Sequence, residues 1–492
     1  MNLRTLPLAA RPQSVKPLST RQASLRTRFD RLAREYEHWF RKHRYYHEAD
    51  HDYLRFLIPP GASILDVGCG IGVTLAALRP SRGVGIDLSP EMVREARERF
   101  PQFSFHVGNV EDAASLADID GTFDFVLLGD TIGYLEDIET TLAAIQRFCS
   151  PETRLIVTYG SRLWRPLLHA AERLGLKMRV GRENWLSTAD ITGLLQLADY
   201  EPIRREWRLL LPERLFGLGP FINRLIAPLP GIRRLCLRNY IVARSVAATR
   251  GRPAPSATVV IPCRNERGNI ENAVKRLPVF APQQEILFVE GHSSDSTYDE
   301  CLRVRDAYPD RRIRVLKQPG KGKADAVRAA FAAAEGDILM ILDADLTVPP
   351  ELMPKFYQVL ASGRGEFVNG TRLVYPVAPG AMRLLNFLAN RAFAAIFSFL
   401  LNTRFTDTLC GTKVLWRSGY EKIKANRAYF GDFDPFGDFD LIFGASKLNL
   451  KIVELPVRYA AREYGETQIS RFADGWLLAR MVLHAWRKLK AV

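Results

Sequence analysis

Residues Ile64–Gly72 read ILDVGCGIG, and residues Ile338–Asp345 read ILMILDAD. Each begins as an apolar run of strand length and breaks at an acidic residue. In the first, Asp66 closes the run, glycines follow at 68, 70 and 72, and a short helical stretch begins at Val73. Small residues let the backbone approach a ligand, and the free N–H groups of a following helix offer it donors. In the second, Asp343 and Asp345 stand two residues apart at the end of a buried run. Two carboxylates so placed can turn towards one hard divalent cation.

Working outward, each motif sits inside its own alternation of strands and helices. Strand-like runs at Ser63–Val67, Gly83–Asp87, Phe103–Val107, Phe123–Leu128 and Arg154–Thr158 are separated by helical segments that include Pro90–Phe100 and Ile138–Phe148. A helix around Thr188–Ala198 and a strand at Tyr240–Ala243 complete this set. Residues 246–256, VAATRGRPAPS, lack periodicity and read as a linker. A second alternation follows at Thr258–Pro262, Ile286–Glu290, Ile313–Leu316 and Asp337–Leu342, with helices at Asn269–Leu277 and Ala324–Ala334. Such alternation predicts α/β architecture with mainly parallel, doubly wound sheets. The expected organisation is a loose basic segment over 1–28, one domain over 29–245, the linker, and a second domain over 257–492. Within the first domain, Phe29–Leu57 is helical in pattern.

Length and composition suit two soluble domains: 492 residues, 47% hydrophobic and 25% charged. Six scattered cysteines without a C-x-x-C pair argue against a disulfide framework or structural zinc and fit a reducing cytosol. No continuous apolar signal region opens the chain. The net charge of +15 is unevenly spread: residues 204–250 hold ten Lys/Arg against two Asp/Glu, interleaved with apolar stretches. That mixture suits an anionic membrane surface. Solvated arginine faces are the plainer alternative, and nucleic acid is not expected because no recognition module accompanies the charge. Within residues 381–401 the longest uncharged stretch, Ala392–Leu401, is too short to span a bilayer, and Arg383 and Arg391 precede it, so the segment reads as a buried or interfacial helix.

The LDVGCGIG wording resembles class I S-adenosylmethionine (SAM) methyltransferases, over about Tyr45 to Arg244. The resemblance implies that Asp66, Gly68, Gly70 and Gly72 form the loop at the methionyl end of SAM. Asp87, ending GVGIDLS, would hold the ribose, and Asn109, Val110 and Glu111 would flank adenine. Gly129–Thr131 would form the pocket floor. Tyr45, Tyr46, His47 and His51 cluster where a helical lid would lie; His47 is a candidate base, with aromatic packing as the alternative.

In the second half, VVIPCRNERGNI (259–270), FVEGHSSDST (288–297), the lysine loop 319–327 and the D-x-D stand in the order seen in family 2 glycosyltransferases, which have the glycosyltransferase A-type fold. The resemblance implies that Pro262, Asn265, Glu266 and Glu290 bind the nucleotide of a nucleoside-diphosphate sugar. Lys321 or Lys323 would meet its diphosphate, and Asp343 and Asp345 would hold Mg²⁺ or Mn²⁺. Glu290-Gly291 stands where that family usually has paired aspartates. Later segments, FVNGTRL through TDTLCGTKVLWRS and REYGET, resemble dolichyl-phosphate mannose synthase-like members, whose acceptor is a polyprenyl phosphate. Arg372, Arg383 and Arg462 would then gather at the acceptor phosphate, with Gln468 standing where lysine is common and Arg471 as a possible substitute. Asp438 and Asp440 are the candidate bases if the acceptor is instead a hydroxyl. Asp407 and Cys410 read as structural.

The expectation is a bifunctional enzyme, cytoplasmic and peripheral at the inner face of the membrane. The alternative is a glycosyltransferase with a soluble hydroxyl acceptor and a non-catalytic, SAM-binding regulatory domain.

Overall fold

The structure, a computed structural model, describes residues 16–376, 384–429, 438–460, 462, 464 and 471–491. It gives side chains for all of these except 384–386, 438 and 471–475. The chain divides into two compact units, Met1–Ala248 and Thr249–Val492.

The first unit is built on seven strands: β1 (Ser63–Val67), β2 (Arg82–Asp87), β3 (Ser104–Val107), β4 (Phe123–Gly129), β5 (Cys149–Gly160), β6 (Tyr200–Arg208) and β7 (Arg238–Ser245). They lie in the order β3-β2-β1-β4-β5-β7-β6. Strands β1 to β5 pair in parallel, and β7 runs antiparallel to β5 and β6. The strand order reverses between β1 and β4, and an open sheet of this kind leaves a ligand crevice at the carboxyl ends there. Alternate residues Leu65, Val67, Val126, Leu128, Leu155 and Val157 are fully buried in one core, as period-two strands require. The glycine loop therefore leaves β1 directly at the switch point.

The second unit repeats the logic with β8 (Ala257–Cys263), β9 (Gln284–Glu290), β10 (Arg312–Lys317), β11 (Ile338–Ile341), β12 (Phe367–Thr371), β13 (Lys413–Trp416) and β14 (Ile452–Pro456). Their order is β10-β9-β8-β11-β13-β12-β14. Strand β11 is parallel to β8, while β13 runs antiparallel between β11 and β12. Asp343 and Asp345 leave the carboxyl end of β11 beside β8, again at the reversal.

The doubly wound α/β expectation holds for both units. Three details differ. Residues up to 28 read as loose, yet a helix spans Thr20–Leu32, started by a capping box in which the Ser19 hydroxyl accepts from Gln22 N–H and the Gln22 amide returns the bond. That reciprocal pair satisfies two free N–H donors. The helical pattern of Phe29–Leu57 breaks into separate helices, Tyr36–Lys42 and Arg44–Leu57 following the first. Strand β6 was not legible, because its buried positions include Arg204, Glu206 and Arg208.

Candidate active sites

In the first unit a cavity of about 530 Å³ lies over the β1–β4 crevice. Gly68, Gly70, Asp87, Asn109, Val110, Glu111 and Gly129 all line it, as the sequence predicts. Gly68 has φ +78°, and an added Cβ there would sit 2.1 Å from Thr131 Oγ1. Thr131 in turn donates to the Val67 carbonyl at 2.8 Å, so the loop is fixed against the end of β4. Asp87 accepts from Gly70 N–H and Ser89 N–H, each at 2.9 Å. Burial raises its pKa against those bonds.

Two expected loop residues do not reach the cavity. Asp66 is buried beneath the loop, where burial and then Asp87 push its carboxyl up to about 7. Gly72 is packed instead against Phe105 and Phe100, leaving no room for a side chain. Glu111 is spent on structure, accepting from the backbone N–H groups of Glu136 and Asp137 and from the Gln22 amide.

The lid expected from residues 45–51 is present in part. Tyr46 and His47 line the cavity together with Tyr36, Trp39 and Phe40. His47 stacks on Phe40 at 4.2 Å. Burial, reinforced by His51, lowers its pKa to about 4. Tyr45 and His51 do not line it: the Tyr45 hydroxyl accepts from Asn223, and His51 meets Thr74.

Sequence reading put Asp130 within the pocket floor but missed the buried arginine that it meets there. Arg238, only 1% exposed at the start of β7, donates to Asp50 at 2.9 Å, to Thr158 Oγ1 at 3.0 Å and also to Asp130. Asp130 follows β4 with φ +55° and turns its carboxylate towards the cavity. Enclosure by the surrounding protein raises its pKa despite Arg238. The local hint was an arginine two residues before the apolar run Tyr240–Ala243.

In the second unit, Asp343 Oδ1 meets Lys323 Nζ at 2.6 Å, and Asp345 Oδ2 accepts from Arg462 at 2.6 Å. Arg462 also reaches Glu266 at 3.5 Å, so it ties the β8 loop to the D-x-D. Burial disfavours the Asp343 anion, but Lys323 and further cations outweigh it and hold the pKa below its ordinary value. Gly411, another residue without a sequence signal, lies against this pair: an added Cβ would sit 2.0 Å from Asp343 Oδ2. Asn265 (φ +55°) accepts from Ser294 N–H at 2.9 Å, and Glu290 accepts from Ser293 N–H in its own turn. These bonds hold the β8 and β9 loops side by side next to Pro262. Lys321 is exposed on the neighbouring loop.

Other predicted residues are committed elsewhere. Arg372 pairs with Asp407 through two bonds, at 2.7 and 3.0 Å, and Asn390 donates to the same carboxylate at 2.8 Å. Those partners outweigh burial and hold the Asp407 pKa at about 2; its structural reading fits this geometry. Asp440 is buried and accepts from Arg427 at 2.9 Å and Arg328 at 3.2 Å. Arg383, Gln468 and the side chains of Asp438 and Arg471 lie outside the described residues. No cluster of three or more His, Cys, Asp or Glu ligands occurs among the described residues.

Comparison with known proteins fits this division. Residues 40–205 match a methyltransferase domain, and residues 258–424 match glycosyl transferase family 2. The chain joins a methyltransferase domain to a family 2 glycosyltransferase domain. It is 28% identical over 231 residues to the low-salt glycan biosynthesis hexosyltransferase Agl6 of Haloferax volcanii, covering 47% of this chain and 54% of that one. It is 34% identical over 119 residues to the dolichol-phosphate mannosyltransferase of Pyrococcus furiosus, covering 24% and 33%. The chain thus spans about half the length of the first relative and a third of the second. Among solved structures, a SAM-dependent methyltransferase of Thermotoga maritima aligns at TM-score 0.36 and 23% identity, over 45% of this chain and 99% of that one.

Proposed function

We propose that this chain is a bifunctional transferase, with a methyltransferase domain over 29–245, a linker over 246–256 and a glycosyltransferase domain over 257–492. The second domain moves a sugar from a nucleoside diphosphate to a polyprenyl phosphate, and the first transfers methyl from SAM. The observation that carries the sugar reading is the convergence of Lys323, Arg462 and Glu266 on Asp343 and Asp345 at the switch point. The donor set fits a hard cation: two carboxylates leave one strand end, each balanced by a partly exposed side-chain cation. Mg²⁺ or Mn²⁺ held there would neutralise charge on the departing nucleoside diphosphate. Lys323 would then meet the donor diphosphate, and Arg462 the acceptor phosphate. A phosphate acceptor is already ionised near neutral pH, so no strong base is required. The burial of Asp440 between two arginines weighs against the hydroxyl-acceptor alternative. Arg372 supports the site through Asp407 rather than by direct contact.

The name of the Pyrococcus relative supports a lipid-phosphate acceptor. So does the surface of helices Leu384–Leu401 and Arg471–Leu489, which pack together and expose Leu388, Ile396, Trp476 and Leu483 beside Arg480. Among the described residues no helix is long and apolar enough to cross a membrane; the exposed apolar and basic side chains of that surface support the peripheral placement at the cytoplasmic face proposed here.

In the methyltransferase domain Asp87 would hold the SAM ribose, and the Gly68–Gly70 loop would lie along its methionyl end. SAM held there would supply an electrophilic methyl group, and Asp130, which Arg238 orients, would take the proton of the acceptor nucleophile. Transfer from radiolabelled UDP- and GDP-sugars into vesicles holding polyprenyl phosphate tests the sugar reading, with Mg²⁺ or Mn²⁺ and with chelator. Metal-dependent label in the lipid supports it; donor hydrolysis without lipid label removes that acceptor.

A further inference from the structure

The methyl-transfer cavity has a second lobe beyond the glycine loop, walled by Trp164, Leu167, Leu168, Met178, Val180 and Leu237. Lys177, Glu183, Glu213 and Arg238 line the same cavity around this apolar group. Helix Arg165–Arg173, which supplies part of it, buries none of its residues. At its two ends Leu163 and Leu174 are 66% and 73% exposed. A second segment, 209–235, meets the same rim: Trp164 Nε1 donates to the Leu235 carbonyl at 2.8 Å, and Pro212 lines the cavity. This segment exposes Phe216, Leu218, Phe221 and Leu235. Leu215 and Phe216 are both left-handed, with φ +38° and +53°. Backbone strain combined with full exposure of a phenylalanine is disfavoured twice in water, and such strain concentrates at functional surfaces.

Charge identifies the partner. Residues 161–182 contain six Lys/Arg against one Glu, and residues 209–235 contain four Arg against one Glu. Arg162, Arg165, Arg173, Arg214, Arg224 and Arg234 are all exposed. Cations interleaved with protruding leucine and phenylalanine match an anionic lipid surface, where each nearby cation strengthens binding roughly five-fold. Neither segment presents an aromatic platform suited to bases.

We propose that this collar docks the methyltransferase domain on an anionic lipid surface, so that the apolar lobe receives a methyl acceptor carried by a lipid. The inference rests on the reading of the cavity as the SAM site and is independent of the sugar-transfer reading.

Hydrogen–deuterium exchange on the full chain tests the docking, with vesicles of phosphatidylcholine alone or with 30% phosphatidylglycerol. We expect amides in 162–176 and 213–235 to exchange several-fold more slowly with the anionic vesicles only. Substituting Leu174→Asp, Phe216→Asp and Phe221→Asp together should abolish that protection while SAM affinity by calorimetry stays within two-fold. Protection confined to 384–401 and 471–489 overturns the proposal. So does protection of the collar by RNA or by a second copy of the chain without any vesicle effect. With methyl-labelled SAM and vesicles of total lipid from the native host, label should enter the chloroform extract and fall at least ten-fold in the triple variant. Label confined to water-soluble products, or absent from both phases, overturns the lipid-borne acceptor. Failure of SAM to bind the unaltered chain removes the cavity reading itself, whereas collar protection is read independently of it.

Discussion

The two switch points solve the same electrostatic problem with different materials. At the first, the Asp87 carboxylate is held by backbone N–H groups of Gly70 and Ser89, which offset its burial only in part. At the second, Asp343 and Asp345 are neutralised by Lys323 and Arg462. Backbone amides cannot leave, so Asp87 keeps its position whether or not a ligand is present; its site is a preorganised cavity. Side-chain cations can swing away, so the D-x-D could exchange charge partners, as the proposed metal binding requires. One site is built to hold, and the other to swap.

The sharpest way to break this comparison is Asp345→Ala. It removes one cation ligand and strands Arg462 beside Glu266, so sugar transfer should fall by about 1,000-fold, equivalent to about 4 kcal/mol of transition-state stabilisation. Methyl transfer by the same preparation should stay within two-fold. Parallel assays with labelled nucleotide sugar and labelled SAM give the answer, and a joint loss would mean that the two sites are not separable.

Arg238→Met tests the preorganised half. Asp50, held ionised by Arg238 and Tyr240 against its burial, would be left inside the protein without its cation. Removing one member of a buried pair costs about 3–5 kcal/mol. Calorimetric unfolding should show a lowered transition for residues 1–248 and little change for the other unit. An unchanged transition would mean that water replaces the guanidinium.

What the sequence made legible follows from range. Gly68, Gly70, Asp87, Asn109 and the D-x-D are local patterns, each set by a strand end and the turn after it, and the structure puts them at the two switch points, whereas Asp66 and Gly72 lie away from the cavity. The Arg238 centre joins residues 188 and 108 positions apart, and no periodicity encodes that. Strand β6 escaped because hydrophobic alternation assumes that buried positions are apolar. Its Arg208 instead lies over the Tyr53 ring at 4.5 Å, and its Arg204 over Phe56 at 5.9 Å, with their charged ends sharing the buried face with Glu206. Asp440 shows the same limit of range, because an acidic turn says nothing of the two arginines that close on it.

Paired glycine substitutions sharpen the contrast between holding and swapping. Gly68→Ala places a methyl on Thr131 in a left-handed backbone, costing about 1–3 kcal/mol in strain. SAM affinity, read by calorimetry, should fall about ten-fold or more, with sugar transfer unaffected. Gly411→Ala drives a methyl onto Asp343 and onto Lys323 Nζ, 2.4 Å away. Donor binding should weaken to a similar degree, and raised metal concentration should restore part of it, because the ligand carboxylate remains. No such rescue is open to Gly68→Ala at any metal level.

The smallest effect is a pH dependence carried by His47. Its pKa falls from the ordinary 6.5 to about 4, because burial beside Phe40 and the nearby His51 disfavour the cation. Above pH 6.5 the ring is neutral whether the chain is folded or not, and the full stability is present. Between pH 6.5 and 4 the unfolded chain takes a proton that the folded one refuses, so stability is lost as pH falls through that window. The slope approaches 1.4 kcal/mol per pH unit for one proton and is smaller here because the ring keeps some exposure. Denaturant titrations of the methyltransferase unit at pH 7 and pH 5 should therefore differ, and His47→Gln should reduce the difference while Asp345→Ala leaves it intact. If His47→Gln also abolishes methyl transfer at pH 7 without changing SAM affinity, the ring acts on the acceptor as well as on the fold. If only the pH dependence changes, His47 is a packing residue of the lid, and Asp130 stands as the proton acceptor.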